Sequence, residues 1–247
     1  MNFKKLCVTV LAFATVLAVT ASSASAATCT NASLKGVFGV LDGGSNNGDP
    51  EVTLTQINFD GVGSVSGSFT NSLNGTVSTG SITGFYSVAK NCSGFFTLNL
   101  PGNKTDHFNF AIDLAKKGLQ TIRADNGLIK PGFALAQLTC APLKKSTFAG
   151  NLAGTMAAFG PIAGAGQVIF DGKGNISGTV TFDLGGGFDA VPISGTYTEN
   201  ANCTGTAEFT PQGFTTANFN MVVVNAGKEV LIVETDSGST VSGTLQK

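Results

Sequence analysis

The stretch that decides the fold is Phe59-Asp60-Gly61-Val62-Gly63-Ser64-Val65-Ser66-Gly67, because it returns 111 residues later as Phe170-Asp171-Gly172-Lys173-Gly174-Asn175-Ile176-Ser177-Gly178. Four further matches keep that offset: 82–86 with 193–197, 91–94 with 202–205, 108–110 with 219–221, and Cys29 with Cys140. A single offset shared by five separated motifs is not expected by chance. The chain therefore contains two tandem copies of one domain.

Within each copy the apolar residues alternate with polar ones, which is the period of a half-buried strand. Val65, Gly67 and Phe69 share one face, and serines occupy the other. Counting such runs predicts eight strands per copy, near 34–41, 52–59, 64–70, 82–88, 94–100, 107–114, 119–124 and 132–138. The predicted links 42–51 and 71–81 are long and fall at one end, the long-loop end, whereas the opposite end is joined by short turns. The pattern predicts an all-β chain of two tandem antiparallel eight-stranded up-and-down β-barrels, with β-sandwiches as the alternative.

A family resemblance supports the barrel. Residues 82–86 and 193–197 resemble the Gly-x-Tyr strand of avidin-type, calycin-like barrels, and 34–38 is similar to their opening strand. The resemblance implies the barrel shape, but biotin binding is not carried over, since the chain has no Trp. The whole repeat also resembles a bacterial exported repeat of unknown function.

The first residues indicate export. Lys4 and Lys5 precede an apolar run and the small residues 24–26, which predicts a signal peptide over 1–26, repeat 1 over 27–138 and repeat 2 over 139–247. We expect a periplasmic or extracellular protein without a membrane span, because no later stretch is apolar for long enough. An outer-membrane pore is disfavoured by the scarcity of Tyr and Trp. Without Lys4 and Lys5 the net charge is about −3, which argues against nucleic acid as a partner.

Four cysteines remain after the predicted cleavage and allow three pairings. Each copy carries its own pair at one separation, so Cys29–Cys92 and Cys140–Cys203 is the economical assignment. Disulfides fit an oxidising compartment. A metal site is disfavoured because no two of these cysteines have the close Cys-x-x-Cys spacing of metal ligands. We expect no metal and no cofactor.

Candidate catalytic groups have plain structural interpretations. Asp60 and Asp171 invite a calcium reading, but a hairpin turn starting with Asp explains them. His107 is the only histidine, and Asn218 stands at its place in copy 2, so a non-catalytic role is favoured. The acids that cluster at the long-loop end of copy 1 are interpreted as solvated loop residues, although paired carboxylates also occur in glycosidases. They are Asp42, Asp49, Glu51, Asp106 and Asp125.

Copy 2 differs at the same end, because its 152–162 loop is apolar. An exposed loop of this kind needs a cover, which is a ligand, a partner, or the barrel itself. The predicted ligand-binding residues are Met156, Phe159, Ile162, Phe188 and Phe214. We therefore predict an exported, non-catalytic binding module for a small apolar ligand. The alternatives are a structural or interaction protein with filled barrels that acts through its loops, and a barrel-type cyclase or isomerase.

Overall fold

The computed structural model describes residues 28–115, 117–185 and 187–247, and of Phe188 and Asp189 it describes the backbone only. The signal peptide predicted over 1–26 lies outside the described residues. Within the described part of the chain, no helix has the length and apolarity needed to cross a bilayer.

The described residues form seventeen strands, which fall into two sets. The first set is β1 (Gly36–Asn46), β2 (Asp49–Phe59), β3 (Ser64–Leu73), β4 (Thr76–Val88), β5 (Ser93–Leu100), β6 (Lys104–Asp113), β7 (Gly118–Arg123), the two-residue β8 (Leu128–Ile129) and β9 (Pro131–Ala136). The second is β10 (Ser146–Met156), β11 (Gly160–Phe170), β12 (Asn175–Leu184), β13 (Phe188–Glu199), β14 (Thr204–Pro211), β15 (Ala217–Val224), β16 (Glu229–Glu234) and β17 (Ser239–Gln246). Short 3₁₀ turns span Asn31–Leu34 and Asn225–Gly227.

Each set closes on itself as an antiparallel barrel. In barrel 1, β1 pairs with both β2 and β9, and β7 pairs with β9. In barrel 2, β10 pairs with both β11 and β17. The predicted fold of two tandem eight-stranded up-and-down barrels is confirmed, and the β-sandwich alternative is wrong. Closure gives each longer strand of the described barrels two neighbours, and the two-residue β8 pairs on one side, with β1.

The predicted long loops are wrong, because these segments continue the strands. Asn47-Gly48 and Asn74-Gly75 form tight hairpin turns, with all four residues at positive φ. Asn-Gly is a preferred doublet for two-residue hairpin turns, since both positions need positive φ. In copy 2, the predicted 152–162 loop is the β10–β11 hairpin, which turns at residues 157–159. We call the end of each barrel that carries these turns the hairpin end, and the opposite end the disulfide end.

Both predicted disulfides, Cys29–Cys92 and Cys140–Cys203, are present. Each spans 63 residues and ties the segment before the first strand to the turn that follows the fourth. The segment that precedes the first strand of each barrel also closes its disulfide end. Leu34 is buried in the core of barrel 1 and Leu143 in that of barrel 2.

Paired glycines bring the strands together. A Cβ added to Gly67 or Gly178 would collide with the carbonyl oxygen of Gln56 or Gln167, which precedes the residue directly opposite on the neighbouring strand. A Cβ on Gly84 would collide in the same way with the carbonyl oxygen of Thr97 on β5. These inward glycines therefore mark sharp strand bends, not empty space.

The barrels pack side by side through a third apolar cluster. Outward residues of β1 and β2 meet outward residues of β15 and β16. The members are Leu41, Val52, Leu54, Val222, Val224, Leu231 and Val233. Hydrogen bonds extend this contact to the hairpin ends, where Ser72 Oγ donates to the Ser239 carbonyl at 2.6 Å and Gly75 N–H donates to Thr240 Oγ1 at 2.8 Å.

Candidate functional site

A cavity of about 630 Å³ opens at the hairpin end of barrel 2. Its depth is formed by inward side chains of the barrel core, including Val168, Phe209 and Phe219. Its rim is formed by three turns that follow β10, β14 and β16. Small-molecule sites measure roughly 300–1,000 Å³ and are mostly apolar with few polar groups. The cavity has the size and lining of such a site.

Four of the five residues predicted to bind a ligand line this cavity. Met156 and Ile162 face inward from the β10–β11 hairpin, and Phe159 and Phe214 stand on the rim. Ile162 is buried, whereas Phe159 is 53% exposed and Phe214 is 40% exposed. The side chain of Phe188 lies outside the described part of the structure. The hairpin thus turns its apolar residues into its own barrel, while ligand binding by them stays a prediction.

One carboxyl group stands inside this apolar lining. Glu234 ends β16, follows the inward residues Val230 and Ile232 at two-residue spacing, and is 3% exposed. Burial raises the pKa of Glu234 to about 7, which the hydrogen bond from Ser239 opposes and the nearby Asp236 reinforces. Sequence reasoning missed this residue. The signal that could have found it is the 111-residue offset, because Glu234 occupies the position in copy 2 that Arg123 occupies in copy 1.

The same end of barrel 1 is filled by buried charges. Lys130 Nζ lies 2.7 Å from Asp42 Oδ1 and 3.3 Å from Glu51 Oε2. It also donates to Thr53 Oγ1 at 2.7 Å. All three charged side chains are at least 90% buried. Burial raises the pKa of Asp42, against the attraction of Lys130.

A second ion pair network adjoins the first. Arg123 binds Asp106, and its Nε lies 2.7 Å from Asp125 Oδ2. The guanidinium carbon stands 4.8 Å from the centre of the Phe108 ring, a cation–π contact. Burial raises the pKa of Asp106, and Arg123 opposes that shift.

The solvated-loop interpretation is therefore wrong for most of the acids of copy 1. Asp42 and Glu51 are buried strand residues that face the barrel interior, and Asp106 and Asp125 are held by Arg123. Asp49 alone is exposed at a turn, as that interpretation expected. The polar stretch looked like a loop because its charges face inward, against the usual pattern of strands with an apolar inner face.

The polar filling of barrel 1 is replaced by apolar residues in barrel 2 at every compared position except one, where Glu234 takes the place of Arg123. The offset is 111 residues, except on the first strand, where it is 110 because Gly36 pairs with Phe59 and Ser146 with Phe170. Asp42, Glu51, Thr53, Asn71, Asp106, Thr121, Arg123 and Lys130 correspond to Leu152, Ile162, Gly164, Phe182, Ala217, Ile232, Glu234 and Val241. One fold thus carries a filled end in copy 1 and a hollow end in copy 2.

His107 takes part in a structural motif that both copies share. Asp125 accepts hydrogen bonds from the backbone N–H of His107 at 2.9 Å and pairs with its Nδ1 at 2.6 Å. Asp236 likewise accepts from the backbone N–H and the Nδ2 of Asn218, both at 2.7 Å. The interchange of His and Asn indicates that the motif fixes one strand to the turn that follows its neighbouring strand.

The two Asp-Gly turns use their carboxylates internally. Asp60 Oδ1 accepts the backbone N–H groups of Val62, Gly63 and Ser64 at 2.8–2.9 Å. The Gly63 and Val62 N–H bonds lower the pKa of Asp60. In copy 2 the side chain of Asn175 does most to lower the pKa of Asp171, to about 2. The hairpin-turn interpretation is confirmed by these bonds.

Among the described residues, one group has the spacing of metal ligands, and it consists of Cys140, Glu199 and Cys203. Its two sulfur atoms are joined in a disulfide, which removes them as thiolate ligands. Glu199 instead accepts the backbone N–H of Leu143 at 2.8 Å. That bond holds the segment that closes the disulfide end of barrel 2.

Comparisons with known proteins add little to this geometry. No family model matches the chain, and no curated protein matches it. Among solved structures, the chain is similar to the crystal structure of kievitone hydratase from Nectria haematococca, with a TM-score of 0.29 and 6% identity over 90% of this chain and 94% of that one. A likeness at that TM-score carries no argument about function.

Proposed function

We propose that the protein is an exported binding module that holds a small, mostly apolar molecule in the hairpin-end cavity of barrel 2. The proposal is carried by the difference between the hairpin ends of the two barrels. Buried charges fill this end of barrel 1, whereas the equivalent residues of barrel 2 leave about 630 Å³ open. Empty apolar space forfeits dispersion contacts and lowers stability, so a ligand that fills it is stabilising.

Barrel 1 has a supporting role in this proposal. Its interior is occupied by Phe59, Phe96 and the other core residues at the disulfide end and by the Lys130 network at the hairpin end. A filled barrel of this kind favours a structural function for that copy. Export is proposed from the sequence of residues 1–26 and agrees with the two disulfides, which persist in oxidising compartments.

One observation favours a second candidate, the barrel-type isomerase or cyclase. The pKa of Glu234, raised to about 7, would allow the carboxyl group to exchange a proton near neutral pH. The two candidates differ in the fate of the ligand. A molecule released unchanged after incubation supports the binding module, and a rearranged product of the same mass supports the enzyme.

The binding proposal is tested by titrating the neutral apolar dye N-phenyl-1-naphthylamine into the protein. We expect fluorescence enhancement, and we expect the combined Met156→Ser, Phe159→Ser and Ile162→Ser variant to bind at least roughly tenfold more weakly, since each apolar side chain contributes up to about 1.5–3 kcal/mol when buried.

The matched control makes the same kind of change on the outer surface of barrel 1, with Phe85→Ser, Phe95→Ser and Ile122→Ser. These side chains are 42–54% exposed and lie away from the cavity. Dye affinity should be unchanged there. Equal loss in both variants, or no dye binding to the wild-type protein, would contradict the proposal.

A further inference from the structure

We infer that the cavity of barrel 2 selects apolar molecules that carry one hydrogen-bond donor, with an amine preferred and a carboxylate rejected, and that Glu234 is the residue that binds the donor. This inference rests on the proposed function and names the ligand class for the same cavity. It follows from the position, the partners and the charge environment of one side chain.

The position of Glu234 directs its carboxyl group at a bound ligand. The residue lines the cavity, and its neighbours along the inner face of β16 are apolar. Across the ladder it pairs with Phe219, which lines the same cavity. A molecule that fills the space therefore contacts this carboxyl group together with apolar side chains.

The hydrogen-bonding capacity of Glu234 is only partly used. A carboxylate has two oxygens with about four acceptor sites. Within the described residues, the Ser239 side chain is the donor that reaches it. A buried carboxylate with so few donors is costly unless another donor arrives. A ligand amine or hydroxyl supplies one.

The charge of the cavity favours cations and opposes anions. The charged side chains of its described lining are Glu234 and Asp236, both acidic. The Asp236 carboxylate is already held by Asn218, and the strands on either side of β16 face Glu234 with Phe219 and Ser239. An ammonium group gains a charge-assisted bond there. A carboxylate would meet repulsion in a poorly hydrated space.

Barrel 1 shows how this fold balances a charge at the same place when the charge is structural. Arg123 is matched there by Asp106 and Asp125. In barrel 2 the position of Asp106 is taken by Ala217 and that of Lys130 by Val241, so neither position offers Glu234 a basic partner. Ala217, at the place of Asp106, lines the open cavity together with Glu234.

The test displaces N-phenyl-1-naphthylamine with three probes of equal chain length, decylamine, 1-decanol and decanoate, at pH 8.5 and below their micellar concentrations. One charge-assisted hydrogen bond changes a dissociation constant by roughly 10- to 100-fold. We expect wild-type protein to bind decylamine at least about tenfold more tightly than decanoate, with the affinity for 1-decanol between the two.

Glu234→Gln keeps the shape of the side chain and removes its charge. It should retain dye and 1-decanol binding and bring decylamine and decanoate to within a few-fold of each other. Glu208→Gln is the matched control, because Glu208 is an exposed acid on the outer face of barrel 2. This control should preserve the wild-type preference. An unchanged preference in Glu234→Gln, or equal affinities in the wild-type protein, would overturn the inference.

A second measurement uses wild-type protein alone, so it tests the inference even if Glu234→Gln does not fold. The preference for decylamine should shrink at pH 5.5, below the pKa of about 7, because the carboxyl group is then neutral. A preference that is the same at both pH values would overturn the inference. Dye binding separates the two proposals: dye that binds without amine selectivity removes only this inference, and dye that does not bind removes the proposed function.

Discussion

At the scale of single residues, the molecule balances buried charge in two different ways. Lys130 stands between Asp42 and Glu51 at the hairpin end of barrel 1, where opposite charges share one buried space. Glu234 has no basic neighbour among the described residues of barrel 2, and burial raises its pKa. The first arrangement is an ion-pair filling, and the second is a buried carboxyl group in a mostly apolar cavity.

The Lys130 network gives a prediction on stability. Lys130→Met should lower the free energy of unfolding by about 3–5 kcal/mol, because it leaves two buried carboxylates without their cation. The measurement is urea unfolding followed by far-ultraviolet circular dichroism.

The matched variant installs the residues of barrel 2 at all three places, with Asp42→Leu, Glu51→Ile and Lys130→Val. Replacing a whole buried ion network by apolar residues is often neutral or stabilising. This triple variant should therefore be more stable than Lys130→Met. If it is less stable, the network contributes more than mutual neutralisation.

At the scale of elements, the disulfides lie at one end of each barrel and the cavity lies at the other. Cys140–Cys203 ties the segment that carries Leu143 to the turn after β13. The cavity rim is built from turns at the hairpin end. Stability and binding therefore depend on different elements of barrel 2.

Removing this disulfide should separate the two properties. Cys140→Ser with Cys203→Ser opens a loop of 63 residues, which in the chain-entropy model costs about 4 kcal/mol. We expect a lower urea midpoint but a dissociation constant for N-phenyl-1-naphthylamine within about twofold of wild type at 25 °C. Dye at about one hundred times its dissociation constant also stabilises the folded state, so the variant stays folded during the titration. A large loss of affinity in protein that is still folded would contradict this separation.

The elements also show what the sequence could and could not predict. The 111-residue register and the alternation predicted the strands, the pairing of Cys29 with Cys92 and the barrel closure. The links at the hairpin end were misread, because polar residues between strands suggested loops where Asn47-Gly48 makes a tight turn. Alternation places residues on one of two faces, but it does not say that a charged face points inward.

The candidate site was predictable in part for the same reason. The apolar 152–162 segment pointed to the end of barrel 2 that carries the cavity, and Met156, Phe159 and Ile162 line it. Glu234 was missed because a lone acid near a turn resembles a solvated residue. Its burial depends on the strands around it and on no local pattern.

At the scale of the whole molecule, the barrels share an apolar contact that a chain of independent domains would lack. Leu231 and Val233 face barrel 1 from β16, and both are fully buried. On the other side, Gly39 leaves room for Val222 and Val224, since a Cβ there would lie 2.6 Å from the nearer valine methyl group. We expect the two barrels to unfold together.

This cooperation is tested by Leu231→Ser with Val233→Ser, measured by differential scanning calorimetry. Burying a polar hydroxyl in place of an apolar side chain weakens the contact by several kcal/mol. We expect a lower melting temperature and a transition that splits into two. The control is Ile122→Ser, which changes a 54% exposed residue of barrel 1 and should leave one transition. A single unsplit transition in the double variant would mean that the barrels are coupled by other contacts.

The docking of β16 also gives the cavity two unlike walls. Every residue of β16 is buried, because one face meets barrel 1 and the other meets the interior of barrel 2. By contrast, β12, which lies opposite β16 in the ring of eight strands, presents alternate residues to solvent. The wall that carries Glu234 is thus packed against barrel 1, whereas the opposite wall faces solvent, and we expect the opposite wall to move more easily. Ligands of different girth would be accommodated by movement of that far wall, with the polar group of each one kept at the same point in space.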